Sequence, residues 1–169
     1  MKLPGQRDGA DAQASAVLHA LQRGEFDAAG AQLDTLERQH GASPRLAYLR
    51  GLLALARDDD HAARAPLALA SAAFPDDAAV QANWSLCLQR LGEADAALAV
   101  SDRVLALAPG HADAQYNRGL ILLALNRSDD AAAAFRQAVR LAPARVHAWR
   151  QLAETEQRQG RYLEAELAW

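Results

Sequence analysis

The sequence predicts an all-α protein built from five helix-turn-helix repeats of 34 residues, the last one truncated. The chain has 42 alanines and 26 leucines, whereas its valines, isoleucines and threonines together number only 9. Alanine and leucine favour helices, and β-branched residues favour sheets. In addition, Pro75, Pro109 and Pro143 each follow an apolar helical stretch and lie 34 residues apart. A fixed period of this length is typical of stacked helical repeats.

The period divides the chain into a tail and one repeat domain. Residues 1–9 contain Pro4, Gly5 and Gly9 and predict a flexible N-terminal tail. Residues 10–169 form the predicted domain, with repeats at 10–43, 44–77, 78–111, 112–145 and 146–169. A chain of 169 residues has room for one such domain and not for two domains of enzyme size.

Two columns of the repeat predict the internal structure of each unit. The twentieth position is always alanine, a side chain small enough for two helices to approach closely: Ala29, Ala63, Ala97, Ala131 and Ala165. The fifteenth position holds residue types that tolerate a left-handed backbone: Gly24, Asp58, Gly92, Asn126 and Gly160. Each repeat is therefore expected to be a helix, a tight turn and a second helix, which a late proline ends in the second, third and fourth repeats.

Two features of the second repeat need separate interpretation. Pro66 falls within its second helix, so we expect this helix to bend or to start late. The run Asp58, Asp59 and Asp60 lacks the glycine and the closing glutamate of a calcium loop. A turn and helix-capping role is the better interpretation of these carboxylates.

The last repeat ends within its second helix, where Leu163, Leu167 and Trp169 have no following helix to cover them. Terminal repeats need a polar closing face. We therefore expect either a longer protein or self-association through this uncapped C-terminal helix.

Catalytic motifs are not evident, and the sequence predicts a protein without enzymatic activity, metal or cofactor. The five histidines are spread over four of the repeats, and none has the spacing of a metal-ligand pair. No serine or cysteine stands in a nucleophile motif. The single cysteine, Cys87, excludes an intrachain disulfide and suits a reducing compartment, so we expect a cytoplasmic protein.

Nucleic-acid and membrane partners are also disfavoured. The formal net charge is −3, without the basic field that nucleic-acid binding requires. The longest strongly apolar stretches, residues 52–56 and 120–125, are far shorter than a membrane span. A protein or peptide partner is the remaining expectation.

The repeats resemble the tetratricopeptide repeat family over residues 10–169. The family pattern has tryptophan, leucine, glycine and tyrosine in the first helix, alanine and phenylalanine in the second, and a late proline. The fourth repeat matches it at Gly119, Ala131, Phe135, Ala138 and Pro143, and the fifth at Trp149, Leu152, Ala165 and Trp169. The resemblance implies a right-handed superhelical solenoid that binds an extended peptide or partner protein in its concave groove.

The same resemblance places the first helix of each repeat along that groove. The groove residues it implies are Arg45, Tyr48, Asn83, Arg90, Tyr116, Asn117, His147, Arg150, Gln151 and Arg158. Among them, Asn83, Asn117 and Gln151 are primary amides one repeat apart. They resemble the asparagine ladder with which some members hold a peptide backbone, and the alternative that they are merely solvated stays open.

Three functions are compatible with a helical repeat domain of this kind. Arginines outnumber carboxylates on the later part of the groove, which slightly favours an acidic partner. The first function is an interaction scaffold that holds partner proteins in the groove. The second is the N-terminal substrate-recruiting region of a larger enzyme such as a glycosyltransferase, sulfotransferase or hydroxylase. An RNA-binding repeat protein is disfavoured, because it needs a basic groove with stacking surfaces.

Overall fold

The computed structural model describes residues 7–158, with the side chains from residue 12 onward. This part of the chain contains nine α-helices and no strand. The helices are α1 (Arg7–Gln22), α2 (Phe26–His40), α3 (Pro44–Ala56), α4 (Asp60–Ala73), α5 (Ala78–Arg90), α6 (Ala94–Leu107), α7 (Ala112–Ala124), α8 (Ser128–Leu141) and α9 (Val146–Arg158).

The helices form pairs, and the pairs fall into two compact units that divide between Pro75 and Asp76. The first unit contains α1 packed on α2 and α3 packed on α4. The second contains α5 packed on α6, α7 packed on α8, and α9 packed on α8. The predicted all-α architecture of helix-turn-helix repeats is thus confirmed. Helix α1 begins at Arg7, three residues before the predicted start of the first repeat.

The turns within the pairs lie at the predicted residues. Gly24 and Gly92 have φ of 76° and 78°, and the non-glycine residues Asp58 and Asn126 have φ of 55° and 59°. These are left-handed values, which asparagine and aspartate tolerate better than most residues. The remaining predicted turn, Gly160, lies outside the described residues, as do Leu163, Leu167 and Trp169.

Side-chain caps begin several helices. Asp59 caps α4, because its carboxylate accepts a hydrogen bond of 2.9 Å from the backbone N–H of Ala62. This confirms the capping role predicted for the aspartate run. His111 caps α7 in the same way, with its Nδ1 accepting from the N–H of Ala114 at 3.2 Å.

Close approach of the two helices in a pair depends on small side chains. The alanines of the twentieth column, Ala29, Ala63, Ala97 and Ala131, are fully buried. On the facing helix, a Cβ built on Gly51 would lie 2.5 Å from Leu67 Cγ, and one on Gly119 would lie 2.7 Å from Phe135 Cζ. Glycine is therefore needed wherever a large residue of the second helix fills this space.

Successive repeats are joined by ion pairs that recur with the period. Arg50 on α3 contacts Asp34 on α2 at 2.7 Å, and Arg118 on α7 contacts Asp102 on α6 at the same distance. Both pairs join the seventh position of one repeat to the twenty-fifth position of the repeat before it. Arg50 also donates to Glu37, and this hydrogen bond raises the pKa of the Arg50 guanidinium above its ordinary value.

Pro66 lies in the interior of α4, which begins at Asp60. The alternative that this helix starts late is therefore wrong, because the Asp59 cap fixes the first turn before the proline. A proline at this position offers no N–H to the carbonyl of Ala62, four residues earlier.

Gly119→Ala should lower the free energy of unfolding by about 1–3 kcal/mol, because the added methyl group overlaps the buried Phe135 ring. Gly30→Ala is the matched control. A Cβ there meets Leu53 at 3.6 Å and Arg57 at 3.9 Å, which are ordinary van der Waals distances, so this change should stabilise α2 by about 0.5–1 kcal/mol. Urea titration followed by circular dichroism measures both. Equal stability of the Gly119→Ala variant and the wild type would contradict the packing described above.

Pro66→Ala should raise the free energy of unfolding by up to about 3 kcal/mol, since it restores a helix hydrogen bond and removes a clash. Pro44→Ala provides the comparison, because Pro44 occupies the first turn of α3, where its fixed φ is favourable. Thermal unfolding should show a gain at Pro66 and none at Pro44. A gain at neither position would mean that α4 accommodates the proline at no cost.

Candidate functional site

The first helices of the second unit, α5, α7 and α9, present the same six repeat positions outside the core. Helix α5 contacts α7, and a ring contact joins α7 to α9. None of the residues at these positions is buried. They are Ala79, Ala82, Asn83, Leu86, Gln89 and Arg90 on α5; Asp113, Tyr116, Asn117, Leu120, Leu123 and Ala124 on α7; and His147, Arg150, Gln151, Glu154, Gln157 and Arg158 on α9. We call this surface the α5–α7–α9 face.

The three amides occupy one position on the successive helices of this face. Asn83, Asn117 and Gln151 are each half-buried. The Nδ2 of Asn83 donates to the carbonyl of Ala79 at 2.9 Å, so part of this amide is used within its own helix. Among residues 12–158, no hydrogen bond involves the side-chain amides of Asn117 or Gln151, whose donors and acceptors remain available to a ligand.

Tyr116 is held between the core and the next repeat. Its ring lies 5.7 Å from the ring of Phe135, which is fully buried, with an interplanar angle of 53°. On the other side, the ring of His147 stands at 82° to it with a centroid distance of 4.7 Å. The tilted contact with Phe135 and the edge-to-face contact with His147 restrict the tyrosine before any ligand binds. Tyr116 is therefore a rigid, half-exposed aromatic group at the middle of the face.

The charged groups of the face are unevenly paired. Asp113 accepts a hydrogen bond of 2.8 Å from Arg145, which precedes α9, so its charge is compensated. Arg150 stands 3.9 Å from Glu154, at the limit of an ion pair, and both side chains are largely accessible to solvent. Arg90 and Arg158 are exposed at the ends of α5 and α9. The α9 part of the face thus presents more positive than negative charge.

The other two predicted groove residues belong to the first unit. Arg45 is exposed and Tyr48 is half-buried, and both lie on α3. The candidate site built from contacts in the structure is therefore confined to the second unit and contains the remaining eight predicted residues.

Gln89 belongs to the face but was not among the predicted residues. Its Oε1 is buried and has no hydrogen-bond partner. An unsatisfied buried acceptor costs about 1–3 kcal/mol, so it is an unusual feature in a folded protein. In the sequence, Gln89 could be noticed because it directly precedes Arg90 on the exposed side of α5. Glutamine is common on helix surfaces, however, so its position alone does not mark it as a binding residue.

Metal-binding side chains do not cluster in the described part of the chain. Between residues 12 and 158, no group of three histidine, cysteine or carboxylate side chains could hold a metal ion. His19, His40 and His61 are exposed and lie on separate helices, and Cys87 is buried. No helix within the described range is both long enough and apolar enough to cross a membrane.

Comparison with known proteins identifies the same helical repeats in other chains. The family model described as tetratricopeptide repeat matches residues 87–145 and 120–169. No curated protein sequence matches the chain. Two similar solved structures are MamA from Desulfovibrio magneticus RS-1, with 21% identity and a TM-score of 0.84, and PilF from Pseudomonas aeruginosa, with 20% identity and a TM-score of 0.85. The similarity covers 97% of this chain with each, and 93% and 75% of those chains, respectively.

The identity to these structures is low, so they establish the fold alone. Another MamA crystal structure is 19% identical, has a TM-score of 0.78, and is covered over 88% of its length by 89% of this chain. The match to the family model agrees with the periodic turns and the helix pairing described for this chain. The chain contains tetratricopeptide repeats.

Proposed function

We propose that the protein is an interaction scaffold and that the α5–α7–α9 face binds an extended peptide segment of a partner protein. Protein binding is typical of tetratricopeptide repeats. The observation that supports this site is the column of three amides on an unburied face, because a primary amide offers both a donor and an acceptor to a peptide unit.

Other amides of the face could also form hydrogen bonds with the backbone of a bound peptide. Asn117 and Gln151 are the better-placed amides, since the amide of Asn83 already donates to Ala79. The unpartnered Oε1 of Gln89 would gain an N–H donor if its side chain turned toward a bound peptide. Satisfying that acceptor would add to the binding free energy.

Side-chain preference would come from the neighbours of the amides. Tyr116 is restrained by Phe135 and His147, so little conformational entropy is lost when a partner packs against it. Arg150 and Arg158 favour an acidic partner by charge complementarity. Because backbone contacts are independent of sequence, we expect affinity to be modest and shared by several related peptides.

Alanine substitution of the amides tests this proposal. The probes are peptides enriched on the wild-type protein from a phage-displayed library of random 12-residue sequences. Asn83→Ala and Asn117→Ala should each weaken binding by about 1–3 kcal/mol, because backbone groups of the peptide are left unpaired. The loss should be larger for Asn117. Fluorescence anisotropy with labelled peptides measures the affinities.

Gln137→Ala is the matched control, because Gln137 is an exposed amide on the second helix α8. It should bind the peptides as the wild type does. Circular dichroism should show unchanged helix content in every variant. Undiminished binding by a folded Asn83→Ala, Asn117→Ala double variant, or the failure of any peptide to enrich, would contradict the proposed site.

A further inference from the structure

The chemistry of the α5–α7–α9 face changes from one helix to the next. On α5, the residues on either side of Asn83 are small or apolar, namely Ala79, Ala82 and Leu86. On α9, the same repeat positions hold His147, Arg150 and Glu154. Helix α7 is intermediate, with Tyr116 and Leu120 exposed in part and the charge of Asp113 compensated by Arg145. Beside the amides, an apolar surface therefore gives way to a charged one, whereas the last position of the face is an arginine on both outer helices, Arg90 on α5 and Arg158 on α9.

We infer that the ligand of this face is a peptide with two chemically distinct parts: an apolar side chain that packs on Leu86 and Leu120, and an acidic side chain that pairs with Arg150 or Arg158. This inference rests on the proposed function and specifies the partner of that site. Half-buried leucines gain binding free energy when a ligand removes their remaining surface from water. Solvent-exposed guanidinium groups add charge-assisted hydrogen bonds to a carboxylate.

The α9 part of the face keeps an excess of positive charge even when the ion pair between Arg150 and Glu154 is counted. Among the described residues, the ion pair of Arg150 is with Glu154 at 3.9 Å, which is a weak contact between accessible groups. Arg158 lies one helical turn beyond Glu154 on the same side of α9. This part of the face thus carries two guanidinium groups and one carboxylate, and a carboxylate from a ligand would balance the charge.

The spacing of the two parts follows from helix packing. Directly packed helices lie about 8–10 Å apart, and α5, α7 and α9 contact one another less than the two helices of a pair do, so the distance from α5 to α9 across α7 is at least about 16–20 Å. An extended chain advances about 3.3–3.6 Å per residue. The acidic side chain should therefore follow or precede the apolar one by at least about five residues, with Tyr116 contacting the segment between them.

The composition of the library-enriched 12-residue peptides tests the inference. We expect an apolar residue and an acidic residue at a fixed spacing of at least about five positions, in one chain direction. Replacing that acidic residue by glutamine in a synthetic peptide should weaken binding about 3- to 10-fold and should reduce its dependence on salt concentration. Replacing the apolar residue by serine should weaken binding to a similar degree without changing the salt dependence.

Charge reversal on the protein provides the second measurement. Arg150→Glu should weaken binding of the acidic peptides at least 5-fold, whereas Arg103→Glu should have little effect. Arg103 is exposed on the second helix α6, so this control changes the net charge equally away from the face. Circular dichroism verifies that both variants fold.

The outcomes separate the inference from the proposed function. If enriched peptides lose affinity with Asn117→Ala but show no acidic residue at a fixed spacing, the site stands and the two-part ligand is wrong. Equal effects of Arg150→Glu and Arg103→Glu would also overturn the inference. If no peptide enriches, or if Asn117→Ala and Gln137→Ala bind alike, the proposed function fails and the inference fails with it.

Discussion

The close approach of the two helices within each repeat is the constraint on which the remaining structure depends. Gly51 and Gly119 leave space that Leu67 and Phe135 fill, and a buried alanine of the second helix completes each contact. The third repeat meets the same constraint differently, because Ser85 is buried and its hydroxyl donates to the carbonyl of Ala97 at 2.9 Å. One side of every first helix is thereby committed to the core.

The candidate site is a consequence of this packing. Since the core uses one side of α5, α7 and α9, their opposite sides face outward in the same register, and the three amides form a column. Phe135 belongs to both the core and the support of the face. Its ring fills the space next to Gly119 and also contacts Tyr116 on the face. The Arg118 and Asp102 pair joins α7 to α6 at the side of this core.

Much of the fold could be predicted because its determinants recur every 34 residues. The turns at Asp58 and Asn126 follow from the few residue types that tolerate a left-handed backbone. The Arg50 and Arg118 ion pairs were not predicted, because each joins residues 16 apart that form no local motif. The contact of Tyr116 with His147 and the buried acceptor of Gln89 likewise depend on side-chain placement, which spacing alone does not determine.

The central claim is that ligands bind across the outward side of the first helices, and site-specific photo-cross-linking tests it most directly. A benzophenone amino acid at Leu120, in the middle of the α5–α7–α9 face, should cross-link to the library-enriched peptides. The same group at Leu141, an apolar residue 43% exposed at the end of α8, should not. Cross-linking from Leu141 but not from Leu120, in folded variants that still bind the peptides, would contradict the account.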